Sequence, residues 1–268
     1  IRGTFTGHWL SAAARIYNET KERRLKAKAD FIVAEIARCQ EANGGGWAFP
    51  IPEKFLYGLK NGRHFWAPQY VCHKVMMGLL DMYLFAGNEQ ALEILRGCAD
   101  WFYRFTGEIS REVMSDMMDL EETGGIMEFW GDLYAVTKEP RHQELARRYA
   151  RPRLTEPLLQ NVDVRTNFHA NMTIPEIQGC ARAYEVTGEE RFRRIVESYW
   201  RLAVDERGRF ATGGQTNGEI WTPKNQFSAR LGDMNQEHCT VYNMVRLADY
   251  LFRWTGDPRY ADYIEANI

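Results

Sequence analysis

The chain has 268 residues, 45% of them hydrophobic, and its formal net charge is -2. A chain of this length can bury a large core as one domain, and we expect a soluble globular protein. The near-neutral charge offers no basic field for nucleic acid, and no apolar run approaches the roughly 20 residues that cross a bilayer. We therefore expect neither a nucleic-acid partner nor a membrane partner.

The cysteines and the two ends of the chain bear on its compartment and its extent. The five cysteines are odd in number and scattered, unlike the paired framework of a small secreted domain. We expect thiols rather than disulfides, and a cytoplasmic location. The chain opens at "IRGTFTGHWL" without an initiator Met or a signal peptide, and it stops at "YIEANI" inside an apparent helix. We therefore expect a partial domain, incomplete at both ends.

A repeated outline predicts the helices in chain order. In each copy an aromatic residue precedes a turn of the Thr-Gly-acidic type, usually followed by an Arg. The copies begin at Tyr17, Tyr83, Tyr134, Tyr184 and Phe252. They lie roughly 50–70 residues apart, which suits a recurring helical hairpin with its loops. We predict that the aromatic residue ends one amphipathic helix, the polar stretch forms the turn, and a second helix follows.

The repeat predicts an all-α fold with at least five helical hairpins in series. Strand signals are sparse and confined to loops such as "GRFATGG". Such a series can form an open solenoid, which keeps short regular loops, or a closed ring whose long loops build a central pocket. The loops here are long and uneven, and they are rich in Gly, aromatic residues and amides. We therefore favour the (α/α)6 toroid, with residues 1–268 as one partial domain.

Polar residues recur near the predicted start of the first helix in four of the copies. They are His8, His73, His169 and Cys239. If the ring closes, these side chains gather on one rim, and the three histidines become candidate substrate-binding residues. A lone His near a helix start is more often a cap or a core residue, so that alternative stays open for each.

Aromatic and acidic residues in the loops provide further candidates. Trp66 and Trp221 are expected to stack on a sugar, with packing between helices as the alternative. Glu121 and Glu122 precede "TGGIMEFWGDLY", where they could contact substrate hydroxyl groups or cap a helix start.

Five segments together resemble a known enzyme family. The segments are "GHWLSAAARIY", "WAPQYVCHKVMMGLLDMY", "HANMTIPEIQGCARAYEVTG", "TGGQTNGEIW" and "EHCTVYNMVRLADYLFRWTGDPRYADYIE". In this order they resemble the β-L-arabinofuranosidases of glycoside hydrolase family 127, from Gly7 to the last residue. The resemblance implies an (α/α)6 catalytic domain and a retaining glycosidase. Its substrate would be an oligosaccharide or small glycoside with β-linked L-arabinofuranose or a related furanosidic sugar.

The resemblance also implies roles for individual residues. Glu219 matches the general acid/base of the family, and Glu237 and Cys239 match two ligands of its Zn²⁺ cofactor. His73 and His169 match histidines around the sugar. We further expect Trp221 to withhold water from the Glu219 carboxyl group, which would keep that group protonated near neutrality. The alternative for the Glu-x-Cys pair is a helix-capping acid next to a buried small residue.

One departure from the family leaves other functions open. The nucleophile of the family is a zinc-bound cysteine, one of two consecutive cysteines, and these 268 residues contain no such pair. We expect the pair beyond Ile268, so these residues alone would not complete the site. The alternatives are a sugar epimerase or uronyl hydrolase on the same toroid, or a non-catalytic carbohydrate-binding scaffold.

Overall fold

The computed structural model describes residues 3–235 and 237–268. Within these ranges the chain forms α-helices α1 to α13 and one short pair of strands. The chain divides into two compact units, Ile1–Arg148 and Tyr149–Ile268. That the whole chain is one partial domain stays a prediction.

The first unit contains eight α-helices in its described residues. They are α1 (Thr4–Thr20), α2 (Arg23–Ala42), α3 (Lys54–Lys60), α4 (Pro68–Ala86), α5 (Glu89–Gly107), α6 (Arg111–Leu120), α7 (Ile126–Thr137) and α8 (Pro140–Arg148). Helix α4 is buried along most of its length and packs against α1, α5 and α7. It crosses α1 closely, because Gly7 on α1 and Gly78 on α4 bring the two backbones into contact.

The second unit contains the remaining helices and the strands. They are α9 (Pro152–Leu159), a 3-10 turn (Ala170–Met172), α10 (Ile174–Thr187), α11 (Glu190–Trp200), a π-helical extension (Arg201–Glu206), β1 (Thr216–Asn217), β2 (Ile220–Trp221), a 3-10 turn (Ser228–Arg230), α12 (His238–Thr255) and α13 (Pro258–Ala266). Helix α10 packs against α11 and α12, and α12 packs against α13. The strands form an antiparallel hairpin that pairs Thr216 with Trp221 and Asn217 with Ile220.

The five predicted helical hairpins are confirmed, and all five turns use the same hydrogen bond. In each copy the residue after the first helix adopts a left-handed backbone, and its amide donates to the carbonyl of the repeat's aromatic residue. The bonds run from Lys21 to Tyr17, Gly87 to Tyr83, Lys138 to Tyr134, Gly188 to Tyr184 and Gly256 to Phe252. This is the usual way for a helix to end in a left-handed residue.

A threonine closes the turn in four of the five copies. In the third copy the Thr137 hydroxyl donates to the Leu133 carbonyl at 2.9 Å and accepts the Glu139 amide at 3.3 Å. The polar outline of the repeat therefore encodes a specific local geometry.

The stretch "GRFATGG" at 208–214 forms no strand, and the strands begin two residues after it.

Composition led to two expectations, a chain without a membrane span and cysteines that are thiols rather than disulfides. None of the helices in the described ranges combines the length and the apolar character needed to cross a membrane. No disulfide joins any two of the five cysteines, all of which lie in the described part of the chain.

Candidate active site

Glu219 lies at the tip of the β1–β2 hairpin. The two tip residues, Gly218 and Glu219, have φ values of 58° and 68°, as a two-residue type I′ turn requires. Glycine adopts this backbone readily, whereas a residue with a side chain loses roughly 1–2 kcal/mol there. The hairpin thus holds a carboxylate in an unfavourable backbone conformation, a feature that clusters at functional sites.

The Glu219 side chain contacts His169, and that the two residues serve one sugar-binding site stays a prediction. Nε2 of His169 lies 3.1 Å from Oε2 of Glu219. Backbone pairing holds the two segments together: the Ala170 amide donates to the Glu219 carbonyl at 2.8 Å, and the Trp221 amide donates to the Phe168 carbonyl at 2.9 Å. The contact is therefore set by the backbone as well as by the side chains.

Both side chains are accessible to a bound molecule. The Glu219 side chain is 51% exposed and the His169 side chain is 20% exposed. A carboxyl group and an imidazole at this distance can pass a proton to or from a ligand, and the imidazole can hold the carboxyl group in one direction.

Trp221 does not take the position expected from the sequence. It is 1% exposed, and its indole Nε1 donates to the Thr173 hydroxyl at 3.0 Å. Its ring therefore offers no face to a sugar, and the half-exposed Glu219 carboxyl group is not shielded by it. The prediction of a substrate-stacking, water-excluding Trp221 is wrong for this structure, because the alternating side chains of β2 direct this ring into the core.

The Glu-x-Cys pair lies at the start of α12. The Glu237 carboxylate accepts the amides of Cys239 and Thr240 at 3.2 and 3.1 Å, and it also accepts the Thr240 hydroxyl at 3.1 Å. Partial burial alone would raise the pKa of Glu237, but hydrogen bonds from the side chains and amides of Cys239 and Thr240 together hold it below its usual value. Cys239 is exposed, so the alternative of a buried small residue is wrong for it, whereas Glu237 does cap the helix.

Two amide side chains that the sequence did not single out connect the two halves of this site. Nδ2 of Asn171, in the 3-10 turn after His169, lies 3.5 Å from Oε2 of Glu237. Nδ2 of Asn243 donates to Oδ1 of Asn171 at 3.0 Å. The second unit thus brings His169 and the Glu-x-Cys pair onto neighbouring segments.

The Glu-x-Cys pair has the donor chemistry of a zinc site, but it does not complete one. Carboxylate and thiolate are both common zinc ligands, and a structural or catalytic site needs three or four protein ligands. The two residues lie together at the start of one helix, where the Glu237 carboxylate accepts the Cys239 amide at 3.2 Å. Across residues 3–235 and 237–268, however, no group of three or more His, Cys, Asp or Glu side chains is arranged to hold a metal. The pair fits half of a zinc site, and the cofactor stays a prediction.

The other predicted histidines lie in the first unit. His73 on α4 is 6% exposed, and its ring packs on the backbone of Gly124 and Gly125. A methyl group added at Gly124 would lie 2.8 Å from its Nδ1, and one added at Gly125 would lie 3.2 Å from its Cε1. His8, early in α1, is exposed, and its pKa is lowered by partial burial and then by the charge of Lys74.

Trp66 and Glu121 lie near the start of α4. Trp66 is 60% exposed, so its ring is accessible for stacking. Both carboxyl oxygens of Glu121 lie 3.4 Å from the Gln69 amide in the first turn of α4. Burial raises the pKa of Glu121 to about 9, although the hydrogen bonds from Gln69 oppose this shift. Of the two roles left open for Glu121, the structure shows capping.

Comparison with known proteins identifies the family of the chain. A family profile described as the catalytic domain of GH127 β-L-arabinofuranosidase matches residues 1–268. A search of curated protein sequences finds no match.

Several solved structures share the fold. One, titled only as a glycoside hydrolase, has a TM-score of 0.72 and 17% identity, and the match covers 99% of this chain and 45% of that one. A GH127 β-L-arabinofuranosidase from Geobacillus stearothermophilus T6 has a TM-score of 0.72 and 14% identity, covering 98% of this chain and 45% of that one. A GH127 β-arabinofuranosidase has a TM-score of 0.68 and 18% identity, covering 98% and 44%. The likeness confirms the predicted all-α toroid class, and the chain spans less than half the length of these proteins.

Proposed function

Because this chain belongs to the family of GH127 β-L-arabinofuranosidase catalytic domains, we propose that it supplies part of the active site of a retaining glycoside hydrolase. The enzyme releases β-linked L-arabinofuranose, or a related furanosidic sugar, from an oligosaccharide or glycan. The observation that carries the proposal is the Glu219–His169 contact at the tip of the hairpin, where the backbone is unfavourable for Glu.

Glu219 is the general acid/base in this proposal. A retaining glycosidase needs one group that first protonates the departing oxygen and later removes a proton from the attacking water. The half-exposed carboxyl group of Glu219 leaves room for the leaving-group oxygen. His169, 3.1 Å away, holds the carboxyl group in one direction and can exchange a proton with it.

The first unit has its own candidate sugar-binding residues in this proposal. His73 and His8 donate to or accept from sugar hydroxyl groups, and the exposed ring of Trp66 stacks on an apolar sugar face. The close approach of Gly124 and Gly125 to the His73 ring supports a fixed orientation of that imidazole.

Zinc belongs to the same proposal. Glu237 and Cys239 would supply two of its ligands, and zinc keeps coordinating thiols deprotonated when it is bound. The nucleophile would be a cysteine that is not among these 268 residues. Support comes from the Glu237–Cys239 contact and from the family to which the chain belongs.

The test uses the natural full-length protein and para-nitrophenyl β-L-arabinofuranoside. We expect release of arabinose with retained anomeric configuration by NMR, and about one zinc ion per chain by elemental analysis. Cys239→Ser should lower zinc content and turnover together. Cys39→Ser is the matched control, since this exposed thiol lies on α2 in the other unit, and it should change neither.

Each part of the proposal can fail separately. An inverted product would contradict the retaining mechanism. Full activity without metal, or with Cys239→Ser, would contradict the zinc site. Absence of hydrolysis for every furanoside tested, with sugar binding intact, would support the non-catalytic scaffold instead.

A further inference from the structure

A buried cluster of charges lies behind the hairpin that carries Glu219. Asp163 accepts hydrogen bonds from Nε and Nη2 of Arg165 at 2.9 and 2.8 Å. It also accepts one from Nη2 of Arg207 at 2.7 Å. The two guanidinium side chains are 0% and 1% exposed, and the Asp163 side chain is 19% exposed. Burial of charged groups is unfavourable unless they are paired, and here one carboxylate pairs with both cations.

Trp221 connects this charged cluster to the hairpin. The Arg165 guanidinium lies over two rings, 4.4 Å from the centre of Tyr199 and 5.2 Å from the centre of Trp221. The Arg207 guanidinium lies 5.8 Å from the Trp221 ring. Arginine over the face of a buried aromatic ring is a favourable contact.

Hydrogen bonds fix both the Arg207 guanidinium and the Trp221 ring of this cluster. Nη1 of Arg207 donates to the carbonyl of Thr222, the residue after β2. On the other side, the Trp221 indole donates to the Thr173 hydroxyl, which lies 3.0 Å from the Tyr199 hydroxyl. The Trp221 side chain of β2 and the backbone of Thr222 just after it therefore contact the cluster, two and three residues after Glu219.

Charge balance also keeps the cluster intact over a wide pH range. Burial alone would raise the pKa of Asp163, but hydrogen bonds and charge from Arg165, followed by the hydrogen bond from Arg207, hold it well below its usual range. The carboxylate consequently stays ionised at neutral pH, and both guanidinium groups keep their partner.

We infer that Asp163, Arg165, Arg207 and Trp221 are positioning residues that direct the Glu219 carboxyl group at the departing oxygen. The inference rests on the proposed role of Glu219 as the general acid/base. A tip residue in an unfavourable backbone conformation keeps its direction only if the strand behind it is fixed, and the cluster fixes that strand. The function of this cluster is thus distinct from ordinary core packing, because loss of the cluster should affect proton transfer more than substrate binding or folding.

Leaving-group dependence of kcat/KM separates positioning from packing. The first chemical step needs the acid for a methyl β-L-arabinofuranoside, whose leaving group is poor, but hardly for a para-nitrophenyl glycoside. A misdirected acid should therefore lower kcat/KM for the methyl glycoside and spare the activated one. A purely structural defect should lower both to the same extent.

Arg207→Lys in the full-length enzyme is the main test variant. Lysine keeps the charge beside Asp163 but cannot also reach the Thr222 carbonyl with a planar fork. We expect a loss of about 10- to 100-fold on the methyl glycoside, the range for a small misplacement of a catalytic group, and less than about threefold on the para-nitrophenyl glycoside. Arg209→Lys is the matched control: this exposed arginine lies two residues away, packs on Tyr263, and should leave both rates unchanged.

A second variant covers the case in which Arg207→Lys does not fold. Trp221→Phe keeps an aromatic ring next to the guanidinium groups but removes the donor to Thr173. It should likewise lower kcat/KM for the methyl glycoside more than for the para-nitrophenyl glycoside. Equal losses on both glycosides in the variant that folds, or no loss, would overturn the inference. If Glu219→Gln itself leaves the methyl glycoside rate intact, the proposed function fails, whatever the cluster variants show.

Discussion

Replacing Gly78 by Ala should destabilise the first unit, because Gly78 lies where α4 crosses α1. A methyl group at Gly78 would lie 2.4 Å from the carbonyl oxygen of Gly7 and 2.8 Å from its Cα. Both contacts are with backbone, so no side-chain rotation can relieve them. The helices must move apart, because ordinary van der Waals contact needs about 3.5 Å.

The expected magnitude follows from two opposing effects. Overpacking a well-packed core costs about 1–3 kcal/mol, and contact with backbone places this site at the upper end. Ala gains roughly 1 kcal/mol over Gly in helix propensity. The net loss of unfolding free energy is therefore about 2 kcal/mol, or a decrease of roughly 4–8 °C in Tm.

The assay compares urea and thermal unfolding of Gly78→Ala with a matched helical glycine. A methyl group at Gly107, the last residue of α5, would lie 3.5 Å from Nη1 of Arg148, an ordinary contact. Gly107→Ala should therefore be neutral or slightly stabilising. The helices that cross at Gly78 carry His8 and His73, so Gly78→Ala should also raise KM in the full-length enzyme. Equal unfolding temperatures for the two variants would refute the close-packing argument.

Two further predictions concern backbone conformation and pH. Lys138→Gly should stabilise the protein by about 1 kcal/mol, since Lys138 has a φ of 57° where glycine is favoured; Gly188→Ala, at the equivalent position of the next copy, should destabilise it by a similar amount in urea unfolding. Burial raises the folded-state pKa of Glu121 from 4.5 to about 9, so between these pH values the folded protein keeps a proton that the unfolded chain releases. The free energy of unfolding therefore decreases as pH rises from about 4.5 to about 9. Glu121→Gln should reduce that decrease between pH 5 and pH 8; an unchanged pH dependence of the urea midpoint would show that Glu121 is ionised in the folded state.

The helical framework could be predicted from the sequence because its turns are local. Each turn depends on a few consecutive residues, such as Tyr134 to Glu139, whose hydrogen bonds lie within one short stretch. The same outline recurs five times, and each copy ends its first helix in the same way. Periodicity and capping chemistry are therefore enough to predict these elements.

The candidate site was predicted only in part, because most of its contacts join distant stretches. Resemblance to a family named His169 and Glu219 separately, and no local pattern encodes the contact between them. The Asn217-Gly218 dipeptide could have indicated the hairpin, but the turn is centred one residue later, on Gly218 and Glu219. Burial of Trp221 was missed for the same reason, because charges that cover it come from segments 14 or more residues away.

In the proposed mechanism Glu219 donates and accepts the proton in glycoside hydrolysis. The most direct measurement is kcat/KM of Glu219→Gln in the full-length enzyme, with methyl and para-nitrophenyl β-L-arabinofuranosides as paired substrates. We predict a loss of roughly 10²–10⁴-fold on the methyl glycoside, a much smaller loss on the para-nitrophenyl glycoside, and unchanged folding and zinc content. Near-normal kcat/KM on the methyl glycoside would contradict the assignment.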